Sequence, residues 1–458
     1  MNVTVTITIL LIFVIKYINC NITPPSGSIP LPDGVNFSIC QDIICLLEIK
    51  QLIVLNNEIY VAVFSRNLSE DAYLALYIGW LHYIFNKSPY QLHFVAFEFG
   101  DVKNQDELKY QTSIGLVMLS ILPKKSIYLC FEQGSNVFGL DLLTLSRKQF
   151  GIGPTIIIHL NHEQPWIIER NHPDYIYSTI QEVKEAYMKN NYVFRNYYYQ
   201  YFDDLTFYFP VGPSKFGFHI QNPNSIISKN VILKASEREN YCIFIGRLGY
   251  EYKQSHSQSH EREYLVSNDI SPCTAIIKQP NEKMEYFFYI ELLSKSTFIL
   301  CPAGNNPETF RLYEALEVGA IPLFVRPSME ISYLQYKYWD NYPGPIFNTW
   351  DDLKPFLNNM TENYVNELQN KVALWYKEFI ENVQYNVSQT MLMAFHDDDN
   401  NKYCKSQTNN ENTNTILIEN ESAYLETLEK KLDDINVQQQ ELMKKLKQHY
   451  MDKIKKIQ

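Results

Sequence analysis

The chain has 458 residues, enough for two domains of ordinary size with additional segments at the ends. Its apolar content of 46% is typical of a globular protein, and its net charge of −11 argues against nucleic acid as a partner. Its eight cysteines are scattered and show no zinc-ligand spacing, which argues against a zinc module.

The chain opens with an apolar or threonine-bearing run over residues 2–15, followed by Lys16 and Cys20. This run is shorter than the roughly 20 residues that span a bilayer, which favours a cleaved signal peptide over residues 1–20. A short type II anchor stays open as the alternative. Residues 21–46 are expected to be a lumenal linker. Either leader predicts the secretory pathway, with residence in the lumen of the endoplasmic reticulum or Golgi, or secretion.

Glycosylation acceptors and cysteines agree with that compartment. Cys40 and Cys45 could bridge each other under oxidising conditions. Cys301 lies in a predicted buried strand and is expected to be a packed thiol, not a nucleophile. After the first 20 residues, Asn-x-Ser/Thr acceptors occur at seven positions: Asn21, Asn36, Asn67, Asn86, Asn359, Asn386 and Asn420.

Residues 47–222 alternate β-rich runs with stretches of helical apolar spacing, which predicts a parallel α/β sheet in a first Rossmann-like domain. Helices are predicted over 70–85 and 174–189. Strands are predicted over 51–55, 59–64, 92–97, 127–131, 155–160 and 205–210.

Polar residues follow the strand predicted over 155–160, and they are candidates for acceptor-side chemistry. His162 and Glu163 would point into an inter-domain cleft, where either could act as a general base on an acceptor hydroxyl. The alternative is a polar turn at the strand end, with His159 or His162 held by hydrogen bonds. Arg195 is a further candidate, for which a structural salt bridge is an equal explanation.

Residues 223–396 are predicted to form a second Rossmann-like domain. Its first strand covers 241–247 and a second covers 274–278, and a helix over 283–294 follows. Arg247 at the end of the first strand and Arg262 beyond a polar loop are cations placed to meet a diphosphate.

The stretch 296–325 organises this second domain. A strand over 297–301 is stopped by Pro-Ala-Gly, a helix is predicted from Pro307, and a buried strand follows over 320–325. Asn305 or Asn306 is the expected N-cap and Gly319 the expected C-terminal cap. The result is a βαβ unit whose turn lies at the carboxyl end of its first strand, where open α/β sheets bind ligands.

The residue types at this turn suit a nucleotide. Gly304 lets the backbone approach a diphosphate closely, and the helix N-terminus favours negative charge. Arg311 is a bidentate partner for phosphate oxygens, and Glu314 can accept hydrogen bonds from two sugar hydroxyls. An ordinary βαβ crossover with an Arg–Glu surface pair is the alternative explanation.

The sequence Cys-Pro-Ala-Gly-Asn-Asn-Pro-Glu-Thr-Phe-Arg-Leu-Tyr-Glu-Ala, starting at Cys301, resembles the signature of exostosin-type glycosyltransferases, and most of all the branch related to the ribitol xylosyltransferase. The resemblance implies a GT-B-type α/β fold, with two Rossmann-like domains facing a cleft. It implies that the first, residues 47–222, is the acceptor domain and that the second holds a nucleoside-diphosphate sugar. It also implies inversion at the anomeric carbon and no obligatory metal. The donor-binding candidates are Arg247, Arg262, Gly304, Asn306, Arg311 and Glu314.

Helices are predicted over 351–357 and 361–395, the latter long enough to cross back to the first domain. Residues 397–420 are expected to be a polar linker, in which the carboxylates of 397–399 form a solvated patch and not a metal site. Residues 421–458 carry leucines at three- and four-residue steps. This pattern predicts a coiled coil, and with it a homo-oligomer, or else an amphipathic helix on the protein's own surface.

The sequence therefore predicts a glycosyltransferase, hexosyl- or pentosyl-, acting on a glycan or glycoprotein. The alternative from another class is a non-catalytic lumenal or secreted binding protein on the same fold. A fucosyl-type transferase is a third possibility, but the Glu-Asn-Ser and Tyr-Val-Thr-Glu-Lys patterns of that family are not found.

Overall fold

The computed structural model describes most of residues 59–400 and one earlier strand. The described ranges are 36–40, 59–65, 72–85, 87–88, 90–98, 126–131, 156–160, 192–213, 233–247, 260–278, 284–304 and 306–400, with single residues 181, 184, 187 and 188. Residues 1–399 form one compact unit, which contains both sheets, and residues 400–458 form a second unit.

The first half of the chain forms a seven-stranded sheet in which all neighbouring strands are parallel. Helix α1 (Ala72–Phe85) connects β2 to β3. The strand order is β1-β3-β2-β4-β5-β6-β7. The strands are β1 (Asn36–Cys40), β2 (Ile59–Ser65), β3 (Leu92–Glu98), β4 (Ser126–Phe131), β5 (Ile156–Leu160), β6 (Tyr192–Arg195) and β7 (Phe207–Tyr208).

Continuous apolar runs explain why this sheet is parallel. All five residues of β5 are buried, as expected for a strand covered on both faces. Strands β2 to β5 agree with the predicted ones to within one residue at each end. The predicted strand over 51–55 lies outside the described residues.

Two predictions for this half were wrong. Residues 21–46 were expected to be a linker, but β1 lies within them and pairs with β3 from Asn36↔His93 onwards. The strand predicted over 205–210 is only β7, because a 3-10 helix (Gln200–Leu205) precedes it and Pro210 has no N–H for a ladder. The short strand β6 was not predicted.

The second half forms a five-stranded sheet, also parallel throughout. Its order is β12-β11-β10-β8-β9, so the chain turns to one side after β8 and to the other side after β10. This is the flavodoxin-like doubly wound order, and its topological switch point lies between β8 and β10. The strands are β8 (Asn240–Arg247), β9 (Thr274–Lys278), β10 (Ser296–Leu300), β11 (Ile321–Val325) and β12 (Ile346–Phe347). Two parallel sheets with helices confirm the α/β class expected for a GT-B-type fold.

Five helices accompany the second sheet in the described residues. They are α2 (His260–Ser267), α3 (Tyr286–Ser294), α4 (Phe310–Glu317), α5 (Leu353–Asn358) and α6 (Glu362–Asn400). Helix α4 ends in a Schellman motif, since Ala320 N–H donates to Ala315 and Gly319 N–H to Leu316. Gly319 has φ +67°, as expected for the residue after the C-cap.

The buried Arg238 side chain joins three parts of the second half. Its Nη1 donates to the Ser296 carbonyl at 2.8 Å, and its Nη2 donates to Val318 and Gly319 carbonyls at 2.9 Å each. These carbonyls lie at the start of β10 and just after α4, where helix geometry leaves acceptors without partners. Burial lowers the pKa of Arg238 to about 10.

Helix α6 contacts both halves of the chain. Near its start, Gln369 donates to the Gly319 carbonyl at 2.8 Å. Further along, Gln384 donates to the Tyr83 carbonyl at 2.9 Å, and Phe395 packs edge-on against Tyr90. At 39 residues the helix is about 58 Å long. The predicted crossing to the first half is therefore present.

A disulfide joins Cys242 in β8 to Cys273 just before β9. Cys301 is buried and free, as expected for a packed thiol, and the proposed partner of Cys40, Cys45, lies outside the described residues. None of the helices in the described ranges is long and apolar enough to cross a membrane. The leader at 1–20 and the predicted coiled coil at 421–458 also lie outside those ranges.

Candidate functional site

The turn after β10 runs from Cys301 to Thr309, which is the N-cap residue of α4. The predicted helix start at Pro307 was wrong, because the helix begins three residues later at Phe310. Its N-cap is not Asn306, and Asn305 lies outside the described residues.

Long-range contacts explain the later start of α4. The Asn306 side chain accepts from the Glu308 N–H at 3.1 Å and donates to the Tyr199 hydroxyl at 3.0 Å. These bonds hold residues 306–308 in a turn that faces the first half of the chain. Arg311 is consequently the second residue of α4, within the turn where helix N–H groups have no intrahelical partner.

Arg311 extends from α4 to the end of β8. Its guanidinium carbon lies 5.1 Å from the centre of the Phe244 ring. A Cβ atom at Gly246 would lie 2.8 Å from the buried Phe244 ring and 2.9 Å from Arg311 Nη2, so the ring makes glycine necessary and the guanidinium lies against bare backbone. Arg311 Nε and Nη1 are buried without a hydrogen-bond partner in the described part of the chain. Because buried donors without partners are costly, these two groups suit an anionic ligand.

Arg262 occupies the matching position at the end of β10. A Cβ at Gly304 would lie 2.9 Å from Arg262 Nη2. Arg262 Nε also donates to the Ala303 carbonyl at 3.2 Å, and the neighbouring Glu261 accepts from the Ala303 N–H at 3.2 Å. The start of α2 therefore fixes both polar groups of residue 303, which holds the glycine turn in place.

The two guanidinium groups thus lie at the carboxyl ends of adjacent strands, β8 and β10, on either side of the topological switch point. Open α/β sheets bind ligands in the crevice at that point. Two cations against glycine backbone suit a ligand with two neighbouring negative charges, such as a diphosphate. One backbone donor of the turn, the Ala303 N–H, is already used by Glu261.

Glu314 lies one turn along α4 from Arg311 and is only 3% exposed. Its Oε2 accepts from the Tyr289 hydroxyl at 2.7 Å. Arg311 is partly exposed, but Glu314 is not on an accessible face of α4, which argues against the Arg–Glu surface pair offered as the alternative. Burial raises the pKa of Tyr289 well above its usual value, so its hydroxyl stays protonated and donates.

Residues 213–342 match the exostosin GT47 domain. The match covers under a third of the chain and includes every donor-binding candidate named above. It supports the exostosin-type glycosyltransferase family, as the motif at Cys301 predicted. No curated protein was found to match the chain.

Solved structures similar to the chain include three from sugar metabolism. Sucrose-phosphate synthase from Thermosynechococcus elongatus has 9% identity and a TM-score of 0.45, over 74% of this chain and 100% of that one. Arabidopsis thaliana UGT89C1 complexed with UDP-L-rhamnose has 12% identity and a TM-score of 0.36, over 75% and 94%. WaaG, a glycosyltransferase involved in lipopolysaccharide biosynthesis, has 11% identity and a TM-score of 0.31, over 71% and 94%. These scores are too low to add to the fold assignment, which rests on the sheets.

Glu308 joins the GT47 domain to the first half of the chain, a role that the sequence analysis missed. Its Oε1 accepts from the Tyr208 hydroxyl at 2.6 Å, from the Val211 N–H at 3.1 Å and from the Tyr313 hydroxyl. Burial raises the pKa of Glu308 to about 7, and the hydrogen bonds from Tyr208 and Tyr313 oppose that rise. The available signal was an acidic residue inside the motif, three residues before Arg311.

The remaining site candidates are described only in part or not at all. Arg247 ends β8, but nothing is described of its side chain. His162 and Glu163, the two general-base candidates, lie outside the described residues. Their catalytic role stays a prediction.

His159 and Arg195 form a buried cluster with Tyr187 at the ends of β5 and β6. Arg195 Nη1 donates to the Tyr187 hydroxyl at 2.7 Å and lies 3.1 Å from His159 Nδ1, which also contacts that hydroxyl. Burial, with the Arg195 charge second, lowers the pKa of His159 well below its usual value. His159 is therefore neutral and held in place, which agrees with the structural explanation offered for it.

Carboxylates do not gather into a metal site where the structure can be described. No group of three or more His, Cys, Asp or Glu side chains in those ranges could hold a metal ion. Asp203 lies in the 3-10 helix before β7 and accepts from the Tyr198 hydroxyl at 3.3 Å. Residues 397–399 continue α6, and their side chains are not described.

Proposed function

We propose that this chain transfers a sugar from a nucleoside-diphosphate sugar to a hydroxyl group of a glycan or glycoprotein. One observation carries the proposal: Arg262 and Arg311 place guanidinium groups against Gly304 and Gly246 at the switch point of the second sheet. The exostosin GT47 domain over residues 213–342 supports the same class of reaction.

In this reaction an acceptor hydroxyl attacks the anomeric carbon while the bond from that carbon to the diphosphate oxygen breaks. The hydroxyl proton passes to a base, for which His162 and Glu163 are the candidates. Attack from the face opposite the leaving group inverts the anomeric carbon. Negative charge grows on the leaving diphosphate, where the buried N–H groups of Arg311 can stabilise it.

The arginines also bear on the need for a metal. We propose that Arg262 and Arg311, with Arg247 at the end of β8, supply the positive charge that the leaving group requires, so that no divalent ion is obligatory. The test is transfer in the presence of excess EDTA, which should leave the rate unchanged. A loss of rate that Mn²⁺ or Mg²⁺ restores would overturn this part of the proposal.

The motif at Cys301 gives the nearest indication of the sugar. Within the exostosin family it most resembles the ribitol xylosyltransferase branch, so we propose a pentosyl or hexosyl donor. Assay with a panel of nucleotide sugars would identify the donor, and analysis of the transfer product would identify the acceptor and the linkage.

We propose a lumenal location in the endoplasmic reticulum or Golgi, either membrane-anchored or soluble, with secretion as the alternative. The Cys242–Cys273 disulfide supports an oxidising compartment. The acceptor Asn359 supports it too, because this residue is exposed at the end of α5. Expression in a eukaryotic cell should give a product whose gel mobility changes after endoglycosidase treatment. We further propose a homo-oligomer through residues 421–458, whose deletion should then give a monomer.

The test of the main proposal is binding followed by turnover. UDP, GDP and their common sugar conjugates are screened by thermal shift, since a ligand at 100 times its Kd stabilises the native state by about 2.7 kcal/mol. Release of nucleoside diphosphate then reports hydrolysis or transfer. Binding without release would favour the non-catalytic binding protein, and no binding by any nucleotide would overturn the proposal.

A further inference from the structure

Arg262 reaches Gly304 from α2, a short helix with one apolar anchor. Among the side chains of α2 that are described, only Leu265 is buried. Packing that specifies a single position needs several interlocking side chains. One buried leucine therefore leaves α2 room to turn and slide about that contact, and other contacts must fix where Arg262 lies.

Polar side chains supply these contacts, and they join α2 to the segment 350–354. Oε2 of Glu261 accepts from the Trp350 indole N–H at 3.0 Å, at a partly buried position. Two further bonds join the same segments at exposed positions, Tyr264 to Asp351 and Lys354 to Asp269. Exposed pairs contribute little to stability. The Glu261–Trp350 bond is therefore the main polar link between α2 and this segment.

Trp350 is itself fixed in place. Its ring is buried and packs edge-on against Phe347 of β12, at 6.3 Å between centroids. It begins a 3-10 helix (Trp350–Asp352) that Thr349 caps, and α5 follows directly. A carboxylate bonded to this indole is therefore held against the second sheet.

Glu261 connects that fixed indole to the glycine turn. The oxygen that accepts from Trp350 also accepts from the Ala303 N–H at 3.2 Å. The next residue, Arg262, donates from Nε to the Ala303 carbonyl at 3.2 Å and has its Nη2 against Gly304. The position of the Arg262 guanidinium consequently depends on both bonds that Glu261 accepts.

We propose that Glu261 is a positioning residue for sugar transfer, which holds Arg262 and the glycine turn where the leaving diphosphate gains its charge. It does so by accepting hydrogen bonds, and neither contact with the substrate nor its negative charge is required. This inference rests on the proposed function, because it places the leaving group at this turn. Donors stabilise a transition state best when they are already in place, since moving them during the reaction costs energy.

The experiment measures kcat and KM from the release of UDP or GDP. Wild-type protein is tested with UDP-glucose, UDP-galactose, UDP-xylose, UDP-N-acetylglucosamine and GDP-mannose, and the donor with the fastest turnover is used for every variant. Glu261→Gln keeps an oxygen that can accept both bonds, and Glu261→Ala keeps none. Tyr241→Phe is the matched control. It removes the bond from the Tyr241 hydroxyl to the Leu357 carbonyl of α5, 3.0 Å long, at the opposite edge of the sheet.

We expect Glu261→Ala to lower kcat roughly ten- to a hundredfold, because small misplacements of groups around the reacting atoms cost about that much. KM should change less than kcat, since the contact of Arg262 with the leaving group strengthens as charge develops. Glu261→Gln and Tyr241→Phe should keep kcat within about threefold of the wild type. A merely structural role would change the melting temperature and leave kcat unchanged.

Trp350→Phe tests the same link if Glu261→Ala does not fold. It keeps an aromatic ring against Phe347 and loses the N–H, so kcat should fall in the same direction and by less.

Two results would overturn the inference while wild-type turnover, and with it the proposed function, stands. One is an equal fall of kcat in Glu261→Gln and Glu261→Ala, which would mean that the charge acts in the reaction. The other is an unchanged kcat in Glu261→Ala, or in Trp350→Phe if the alanine variant does not fold. If the wild type releases UDP or GDP from none of the donors, the proposed function itself fails, and the inference fails with it.

Discussion

Oε1 of Glu308 lies 2.6 Å from the Tyr208 hydroxyl, so the turn after β10 is bonded directly to the last strand of the first sheet. Trp339 donates to the same hydroxyl at 3.2 Å. Tyr336 stacks on the Tyr208 ring at 4.1 Å between centroids. A carboxyl group at the centre of this buried cluster makes the junction between the two halves sensitive to protonation.

The first prediction concerns the pH dependence of stability. The pKa of Glu308 is raised to about 7 in the folded chain, from an ordinary value of 4.5. Between these values the native state binds more protons than the unfolded state, so the free energy of unfolding should fall as pH rises from 4.5 to 7. The contribution is at most about 3 kcal/mol.

Urea denaturation of wild type and Glu308→Gln at several pH values checks this. In Glu308→Gln the free energy of unfolding should no longer show this fall between pH 4.5 and 7. Glu330→Gln, which removes an exposed carboxyl on the loop after β11, should show the same fall as the wild type. The same pH dependence of the free energy of unfolding in wild type and Glu308→Gln would contradict the prediction.

The second prediction contrasts two arginines of the same half. Arg311→Met should leave the free energy of unfolding within about 1 kcal/mol of wild type or raise it, because Nε and Nη1 have no described partner to lose. Arg238→Met should lower it by at least about 3 kcal/mol, since three bound carbonyls lose their donor.

Arg311→Met, which should cost little stability, should have a large effect on catalysis. Arg311→Met should slow sugar transfer roughly ten- to a hundredfold and weaken substrate binding less, because its contact strengthens as the leaving group gains charge. Thermal unfolding and steady-state kinetics of the two variants give both readouts. A folded Arg311→Met with full activity would remove the main support for the glycosyltransferase proposal.

The third prediction concerns Glu314 and the nucleoside. Glu314→Gln should fold, because an amide oxygen can still accept from Tyr289, and should bind UDP or GDP roughly ten- to a hundredfold more weakly. The proposed contact with ribose would be the same in ground and transition states, so affinity should change before the rate of the chemical step. Tyr289→Phe, which keeps the Glu314 carboxyl group, should show a smaller effect in the same titration.

The fourth prediction compares the two glycines. A Cβ at Gly304 would meet only the far end of the Arg262 side chain at closer than 3.0 Å, so Gly304→Ala should keep its stability and weaken nucleotide binding. A Cβ at Gly246 would also lie 2.8 Å from the Phe244 ring, which is fully buried. Gly246→Ala should therefore lose about 1–3 kcal/mol of stability as well as binding. Unfolding and calorimetry on the pair would separate the two effects.

The fifth prediction concerns the disulfide. The sequence separation of Cys242 and Cys273 is 31 residues, and closing such a loop stabilises the folded state by roughly 3–4 kcal/mol. Dithiothreitol should lower the melting temperature of the wild type, and lower that of a Cys242→Ala/Cys273→Ala variant by less. Equal melting temperatures with and without reductant in the wild type would contradict it.

Local sequence rules predicted the elements that local physics decides. The strand β9 was predicted with both ends correct, and Gly319 closes α4 as expected because only a residue tolerant of positive φ fits there. The glycine turn at Gly304 lies at the end of β10, as the motif predicted. These features depend on residues close to each other in the chain.

The misses depend on contacts between distant parts of the chain. The start of α4 is shifted because Asn306 bonds Tyr199, more than a hundred residues earlier, and does not cap the helix. The strand β1 exists through its pairing with β3, which no local pattern reveals. The pairing of Cys242 with Cys273 is equally non-local, since spacing alone does not decide connectivity.

Helix α6 has a mechanical consequence for any motion between the sheets. Residues 362–400 contain no glycine or proline, the usual sites of a sharp kink. One stretch of this helix is bonded to the second half through Gln369, and another to the first half through Gln384. A hinge that separated the sheets would have to bend an unbroken rod or detach one end of it. Any opening between the sheets is therefore coupled to the hydrogen bonds that Gln369 and Gln384 make.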